Sequence, residues 1–286
     1  MNYVKTAILL ILLAALFMWA GGMIGGQTGM IVAFILAMVI NFGSYWFSDK
    51  IVLAMYKAQK LDENTYPEIY RMVTELAKKD NIPVPRIYLA AIDVPNAFAT
   101  GRNPKNGVVC VTRGILNMLN REELKGVIAH EMSHIKHRDT LIMTVVAAIA
   151  SAIMMMASMA RWAAIFGGFG ARNSKDRSGG IIGLLVVAIV APLAAMLIQL
   201  AISRFREYAA DENGAKLAGS ANGLAAALGK LDQAAGRYKF NASPETAHLF
   251  IVNPLRGNFM ADLFRTHPST EKRIERLRVI TKEAIL

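Results

Sequence analysis

A single cysteine, Cys110, stands in the whole chain, so no internal disulfide can form. It sits in the apolar run Val108-Val109-Cys110-Val111, where a thiol reads as a small buried hydrophobe and not a reactive group. A chain without thiol chemistry suits a reducing cytoplasm. Aromatic–basic alternation is missing, as is any nucleic-acid motif, although the net charge is +11. No internal repeat and no low-complexity tract occurs. Charge is absent from four long runs, 6–24, 30–47, 141–160 and 181–202. Ion and substrate pathways through a membrane need ionisable groups, so these runs argue against a channel or transporter.

What is present is concentrated. The hydrophobic share is 54%, above the ~45–50% of soluble domains, and the excess lies in runs long enough to span a bilayer. Of the 32 Lys and Arg, 14 fall in residues 49–140 and 13 in residues 203–286. Basic charge beside apolar runs orients a chain in a membrane and favours anionic lipid.

Residues 6–24, behind Lys5, read as an uncleaved anchor, because a second span follows at once. Gly25-Gly26-Gln27-Thr28-Gly29 predicts a tight turn. The second span, 30–47, closes on Tyr45 and Trp46, which suit an interface. Residues 141–202 predict a second transmembrane pair around a polar loop at 161–180. The polar segments 49–140 and 203–286 then face one compartment and fold as one domain. Charge near the span ends places that domain, and both termini, on the cytoplasmic side; Arg172, Lys175 and Arg177 on the other side run mildly against this.

Segment 49–140 reads as α+β. Thr65-Tyr66-Pro67-Glu68 has the spacing of a capping box, and Ile69, Met72, Val73 and Leu76 continue at helical spacing. Strands are predicted at 86–90, 96–100 and 107–112, with Asn106-Gly107 as a hairpin turn. In 203–286, Ser220 is placed to cap a helix, and Ile274, Leu277 and Ile280 mark a final basic helix.

The chemistry centres on His130-Glu131-Met132-Ser133-His134. Asn120 and Glu123 have capping-box spacing ahead of it. On a helix, residues four apart share a face, so His130 and His134 offer two imidazoles to one metal ion. Glu131 lies beside them as a base for a water in an open metal position. A catalytic zinc usually takes three protein ligands. His137 is the nearest candidate, but three ligands on one straight helix line up along it, and no Gly follows His134 to turn the chain. Glu207 is the better candidate. It follows the fourth span as the first motif precedes the third, so antiparallel spans bring the two together. Asp211, four residues on, is placed to accept a hydrogen bond from a ligand histidine and fix its tautomer.

These motifs, with Pro95-Asn96-Ala97-Phe98-Ala99-Thr100-Gly101, the run from His248 to Leu255 and Thr266-His267-Pro268, resemble the HtpX family of membrane-bound zinc metalloproteases, relatives of the Ste24-type proteases. The resemblance covers essentially the full length. It implies a mainly α fold with a small β-sheet: four transmembrane helices plus a cytoplasmic, gluzincin-like zinc metalloprotease domain assembled from two chain segments. It implies one Zn2+ per chain held by His130, His134 and Glu207, with Glu131 catalytic. It supports His267 as the electrophile for the tetrahedral intermediate. The extended piece Asn96, Ala97, Phe98 and Ala99 is a candidate to pair with a substrate strand. His248 reads as structural or cleft-lining.

The expected activity is endopeptidase cleavage of misfolded or damaged membrane proteins in quality control and stress response, at the cytoplasmic membrane. Alternatives are a prenyl-processing metalloprotease, which the four-span count disfavours, and a zinc-stabilised adaptor. An adaptor site would be closed by a fourth Cys or His, and none stands at suitable spacing.

Overall fold

The computed structural model describes residues 2–142, 204–235, 249–252 and 268–283. In chain order the elements are α1 (Asn2–Met55), β1 (Gln59–Lys60), α2 (Pro67–Asp80), β2 (Arg86–Ala90), β3 (Ala97–Thr100), β4 (Val108–Thr112), α3 (Arg113–Met118), α4 (Arg121–His137), α5 (Arg204–Ala218), α6 (Asn222–Ala235) and α7 (Thr270–Glu283). The fold is mainly helical with one small mixed sheet. Of the expected spans, the pair at 141–202 lies outside the described residues apart from 141 and 142.

Helix α1 is not one straight rod. Gly26 has φ 58, and Asn41 Nδ2 donates to the Leu10 carbonyl at 3.3 Å. At 1.5 Å per residue, two positions 31 apart on a straight helix would stand roughly 45 Å apart. The chain therefore doubles back at Gly26. Gly21 and Gly29 face each other where the arms cross, and a methyl group on either would overlap the other's backbone. The segment Gly26–Phe47 has mean hydropathy 1.9 over its best window and is only 12% buried there, so it is long and apolar enough to cross a membrane.

The sheet has the order β1-β2-β4-β3. Strand β4 pairs parallel with β2 and antiparallel with β3, so both of its edges are used. Side chains alternate across a strand. Val109 and Val111 face the main core with α2, α4 and α6, whereas Val108 and Cys110 face Val52, Leu53 and Tyr56 at the foot of α1, with Phe98 and Phe250. Burial on both faces explains why β4 is an unbroken apolar run.

Two local expectations fail for identifiable reasons. The capping box at Thr65 does not form: the Thr65 hydroxyl and amide both bond to Asp62, and α2 starts at Pro67 behind Tyr66, which makes no side-chain cap. Asn106-Gly107 is not a two-residue hairpin turn. A 3-10 turn, Pro104–Asn106, connects β3 to β4, with the Asn103 side chain accepting from Asn106 N–H. The box at α4 does form: Asn120 accepts from Glu123 N–H and Glu123 accepts from Asn120 N–H, both at 2.9 Å. Such a cap contributes about 1 kcal/mol.

Helices α5 and α6 lie unusually close to α4 because glycine lets them. A Cβ added to Gly214 of α5 would sit 2.8 Å from His130 Cα, and one added to Gly126 of α4 would sit 2.6 Å from the Leu224 amide of α6. Backbone meets backbone at the level of the first motif histidine.

Candidate active site

Helix α4 buries one whole stretch, Val127 to Ile135, including His130, Glu131 and His134. Buried polar groups need partners, and here His130, His134 and Glu207 crowd around one point. His130 Nε2 and His134 Nε2 are 3.3 Å apart, with their rings edge to face. Glu207 of α5 brings Oε1 to 3.5 Å from His134 Nε2 and Oε2 to 3.8 Å from His130 Nε2. One donor atom from each of the three lies within 4.8 Å of the others. His137 stays out of this cluster. It is exposed, and its Nδ1 faces the Ser133 carbonyl at 2.8 Å.

The distal nitrogens settle the tautomers. His130 Nδ1 lies 3.0 Å from Asp211 Oδ1, and His134 Nδ1 lies 3.2 Å from Asp139 Oδ2. Carboxylates accept, so in the neutral form of each ring Nδ1 is the nitrogen that carries the proton and Nε2 presents its lone pair on the Glu207 side. Two lone pairs and a carboxylate meeting at one point are a cation site. With zinc bonds of about 2.0–2.1 Å in a tetrahedron, donors stand roughly 3.3 Å apart. The observed separations fit that spacing, and nitrogen donors suit zinc better than calcium or magnesium.

Asp139 was not read from the sequence. The absence of Gly after His134 suggested a straight continuation. Arg138 instead adopts the left-handed conformation, φ 61, and turns the chain. The turn delivers a hydrogen-bond acceptor to His134, not a third ligand.

Arg273 was missed as well. It belongs to α7, is 1% exposed, and reaches the site from behind. Its Nε donates to Asp211 Oδ2 at 2.9 Å, its Nη2 to Asp211 Oδ1 at 2.7 Å and its Nη1 to the Ile251 carbonyl at 3.0 Å. Nη1 also lies 3.6 Å from Glu207 Oε2. A parallel, looser arrangement backs His134: Arg206 Nε stands 3.9 Å from Asp139 Oδ1. Each motif histidine thus has an aspartate behind it, and each aspartate has an arginine.

The charges can be counted. Glu131, Glu207, Asp211 and Asp139 contribute four buried carboxylates against two guanidiniums, Arg273 and Arg206. With neutral imidazoles the cluster carries two negative charges in excess, which a divalent cation neutralises. Burial pushes the Glu131 carboxyl up, with His130 and His134 pulling the other way. Burial alone would lower the His134 imidazole, but the Asp139 hydrogen bond, aided by Glu207 and Glu131, outweighs it and holds it at about 9. Burial also raises Asp211, yet the Arg273 guanidinium overrides that and holds its carboxyl below the usual range.

Residues 63–281 match the sequence profile of peptidase family M48. The chain belongs to peptidase family M48. It is a metalloprotease of that family, and the resemblance to the HtpX proteases read from the motifs is borne out. A "Protease HtpX homolog" of Syntrophobacter fumaroxidans is 54% identical over 275 residues, covering 96% of this chain and 98% of the relative. Its namesakes in Thermococcus sibiricus and Persephonella marina are 52% and 55% identical, covering 98% and 97% of this chain and 96% of each relative. Among solved structures, Ste24p of S. mikatae superposes with a TM-score of 0.53 at 17% identity, over 96% of this chain. That likeness concerns the fold alone, and this chain spans 63% of that protein.

Strand β3 runs beside α4 and its His130–His134 stretch. Ala97, Phe98 and Ala99 are buried, and the Ala99 amide donates to the Glu131 carboxylate. Asn96 is committed elsewhere: its Nδ2 donates to the Leu249 carbonyl at 3.0 Å and its Oδ1 accepts from Ile251 N–H at 3.2 Å. Asn96 and Arg273 thus pin segment 249–252 from two sides. His248 and His267 lie outside the described residues.

Proposed function

We propose that this chain is a membrane-anchored, zinc-dependent endopeptidase with His130, His134 and Glu207 as ligands and Glu131 as the base. One observation carries the reading: two oriented imidazoles and Glu207 converge on one point, with Glu131 buried beside it. Zinc, when bound there, supplies Lewis acidity toward the scissile carbonyl and makes a water acidic, toward pKa ~7. Glu131, buried beside that point, would take a proton from water and return it to the leaving amine. A carboxyl pushed up by burial suits a group that must both accept and return a proton. Asp211 and Asp139 hold the imidazoles in register throughout. His267 is proposed as a donor to the developing oxyanion.

Strand β3 is the outer strand of the sheet. The Asn96 carbonyl accepts from Thr112 N–H on the β4 side, while the Ala99 amide turns to Glu131. Alternate residues therefore face β4, and Ala97 and Ala99 face away from it. A substrate in extended form pairs with such an edge through its backbone, whatever its side chains. That tolerance suits clearance of damaged membrane proteins. Membrane anchorage is supported by α1, most of whose large apolar side chains from Ile31 to Phe42 are exposed. A core helix would bury them; a bilayer covers them.

The test is cleavage of an unfolded protein by the zinc-loaded chain, compared with Glu131→Gln carrying the same zinc. Cleavage should fall by at least about 100-fold in the variant. Absence of cleavage by the zinc-loaded parent, across several unfolded substrates, overturns the reading.

A further inference from the structure

We propose that the groove at the foot of α1 binds the headgroup of one anionic phospholipid. This rests on the reading that α1 crosses a bilayer. The groove has a volume of about 550 Å³ and opens where the segment Gly26–Phe47 ends. Its walls come from two parts of the fold. Phe42, Trp46 and Lys50 belong to α1; Arg86 starts β2, and Arg102 follows β3.

The charges in the groove do not cancel. Arg86 is taken by Asp49 at 2.5 Å. Arg102 and Lys50 make no ion pair with any described residue. The Arg102 guanidinium lies 4.2 Å from the centre of the Trp46 ring, and Lys50 Nζ lies 5.5 Å from that of Phe47. Stacking occupies the face of a guanidinium and leaves its N–H edge free for an oxyanion. Among the described residues, these two cations at the groove thus have aromatic rings and no carboxylate as partners.

The remaining wall is apolar. Phe42 is 62% exposed, one helical turn from Trp46 toward the middle of the candidate span. A ligand that satisfies the whole groove needs a negative group at Arg102 and Lys50 and hydrocarbon against Phe42 and Trp46. A soluble phosphate leaves the rings uncovered. A zwitterionic lipid brings its own cation to a site already short of anions. An anionic phospholipid meets both demands, and Trp46 sits at the level that indole rings prefer.

Such a headgroup would touch both the end of α1 and the end of β3. Gly101, between β3 and Arg102, accepts from the Thr140 hydroxyl at 2.8 Å, so this corner is also tied to the chain just past α4. Occupancy of the groove would therefore fix the height of the catalytic sheet above the membrane surface.

Full-length protein carrying Trp19→Phe and Trp162→Phe keeps Trp46 alone of its three tryptophans. It is reconstituted in phosphatidylcholine vesicles containing an equal mole fraction of either brominated phosphatidylglycerol or brominated phosphatidylcholine, and Trp46 quenching is read. The anionic lipid should quench more strongly. That preference should fall about fivefold in Arg102→Gln or Lys50→Gln and persist in Arg102→Lys, with circular dichroism and zinc content unchanged. Equal quenching by the two lipids overturns the headgroup site and leaves the spanning helix standing. Loss of the preference on adding millimolar inorganic phosphate overturns it in favour of a soluble anion. No quenching by either lipid overturns the spanning reading, and the site with it.

Discussion

The Arg273 guanidinium grips Asp211 through two bonds, 2.9 and 2.7 Å long, and the same Asp211 oxygen that takes the shorter bond lies 3.0 Å from His130 Nδ1. Helix α7 therefore decides how His130, a proposed metal ligand on α4, is oriented. Arg273→Ala leaves Asp211 buried without its cation, which costs about 3–5 kcal/mol of stability. It should also weaken zinc binding about 10–100-fold. Arg273→Lys keeps the charge but loses the fork, so it should recover more of the stability than of the zinc affinity. Chelator competition and thermal melts on the two variants separate these effects.

Asp139→Asn tests the second relay. Asparagine can present its amide N–H to His134 Nδ1, which stabilises the wrong tautomer and turns a proton toward the metal point. Zinc affinity should drop about 10–100-fold. His130 and Asp211 are untouched, so the His130 resonance in a zinc-loaded nitrogen-labelled sample should hold its position while that of His134 moves.

Gly214→Ala places a methyl 2.8 Å from the His130 backbone. The methyl meets backbone, which cannot rotate away, so α5 must shift and carry Glu207 with it. Overpacking of this kind costs about 1–3 kcal/mol. Zinc should bind more weakly, although no ligand has changed. Retained affinity together with a normal melting temperature would show that α4 and α5 have slack at this contact.

Zinc binding should expel protons. In the metal-free chain, His134 is protonated below about 9, and zinc needs it neutral. Lowering the pH from 9 should therefore weaken apparent affinity by up to about tenfold per unit. Glu131, pushed up by burial, acts in the same direction. The sign for stability follows. A histidine raised in the folded state stabilises the metal-free chain fully below its unfolded value, and that contribution is lost as pH rises through 9. The gain in melting temperature on adding zinc should be larger at pH 9 than at pH 7, and calorimetry should record proton release.

What was legible in the sequence was local. His130 and His134 stand one helical turn apart, as do Glu207 and Asp211, so periodicity places each pair on a shared face, whereas joining the two pairs rested on the expected antiparallel spans. The α4 cap was legible for the same reason. Asp139 was hidden because its role depends on a left-handed turn at Arg138, and nothing in an arginine announces one. Thr65 was misread because Asp62, three residues back, competed for its hydroxyl. Arg273 was hidden among Lys272, Arg276 and Arg278. Its one local signal is position: it stands four residues before Leu277, on the stripe α7 buries. The parallel pairing of β2 with β4 is non-local, and no turn signal records it.

Arg273 stands 143 residues after His130. During synthesis the histidine motif leaves the ribosome long before the arginine that braces it has been made. A half-made chain thus holds its reactive end without the support that orients it. The same order means that a cut anywhere between the two puts His130 and the arginine that braces its aspartate on separate fragments.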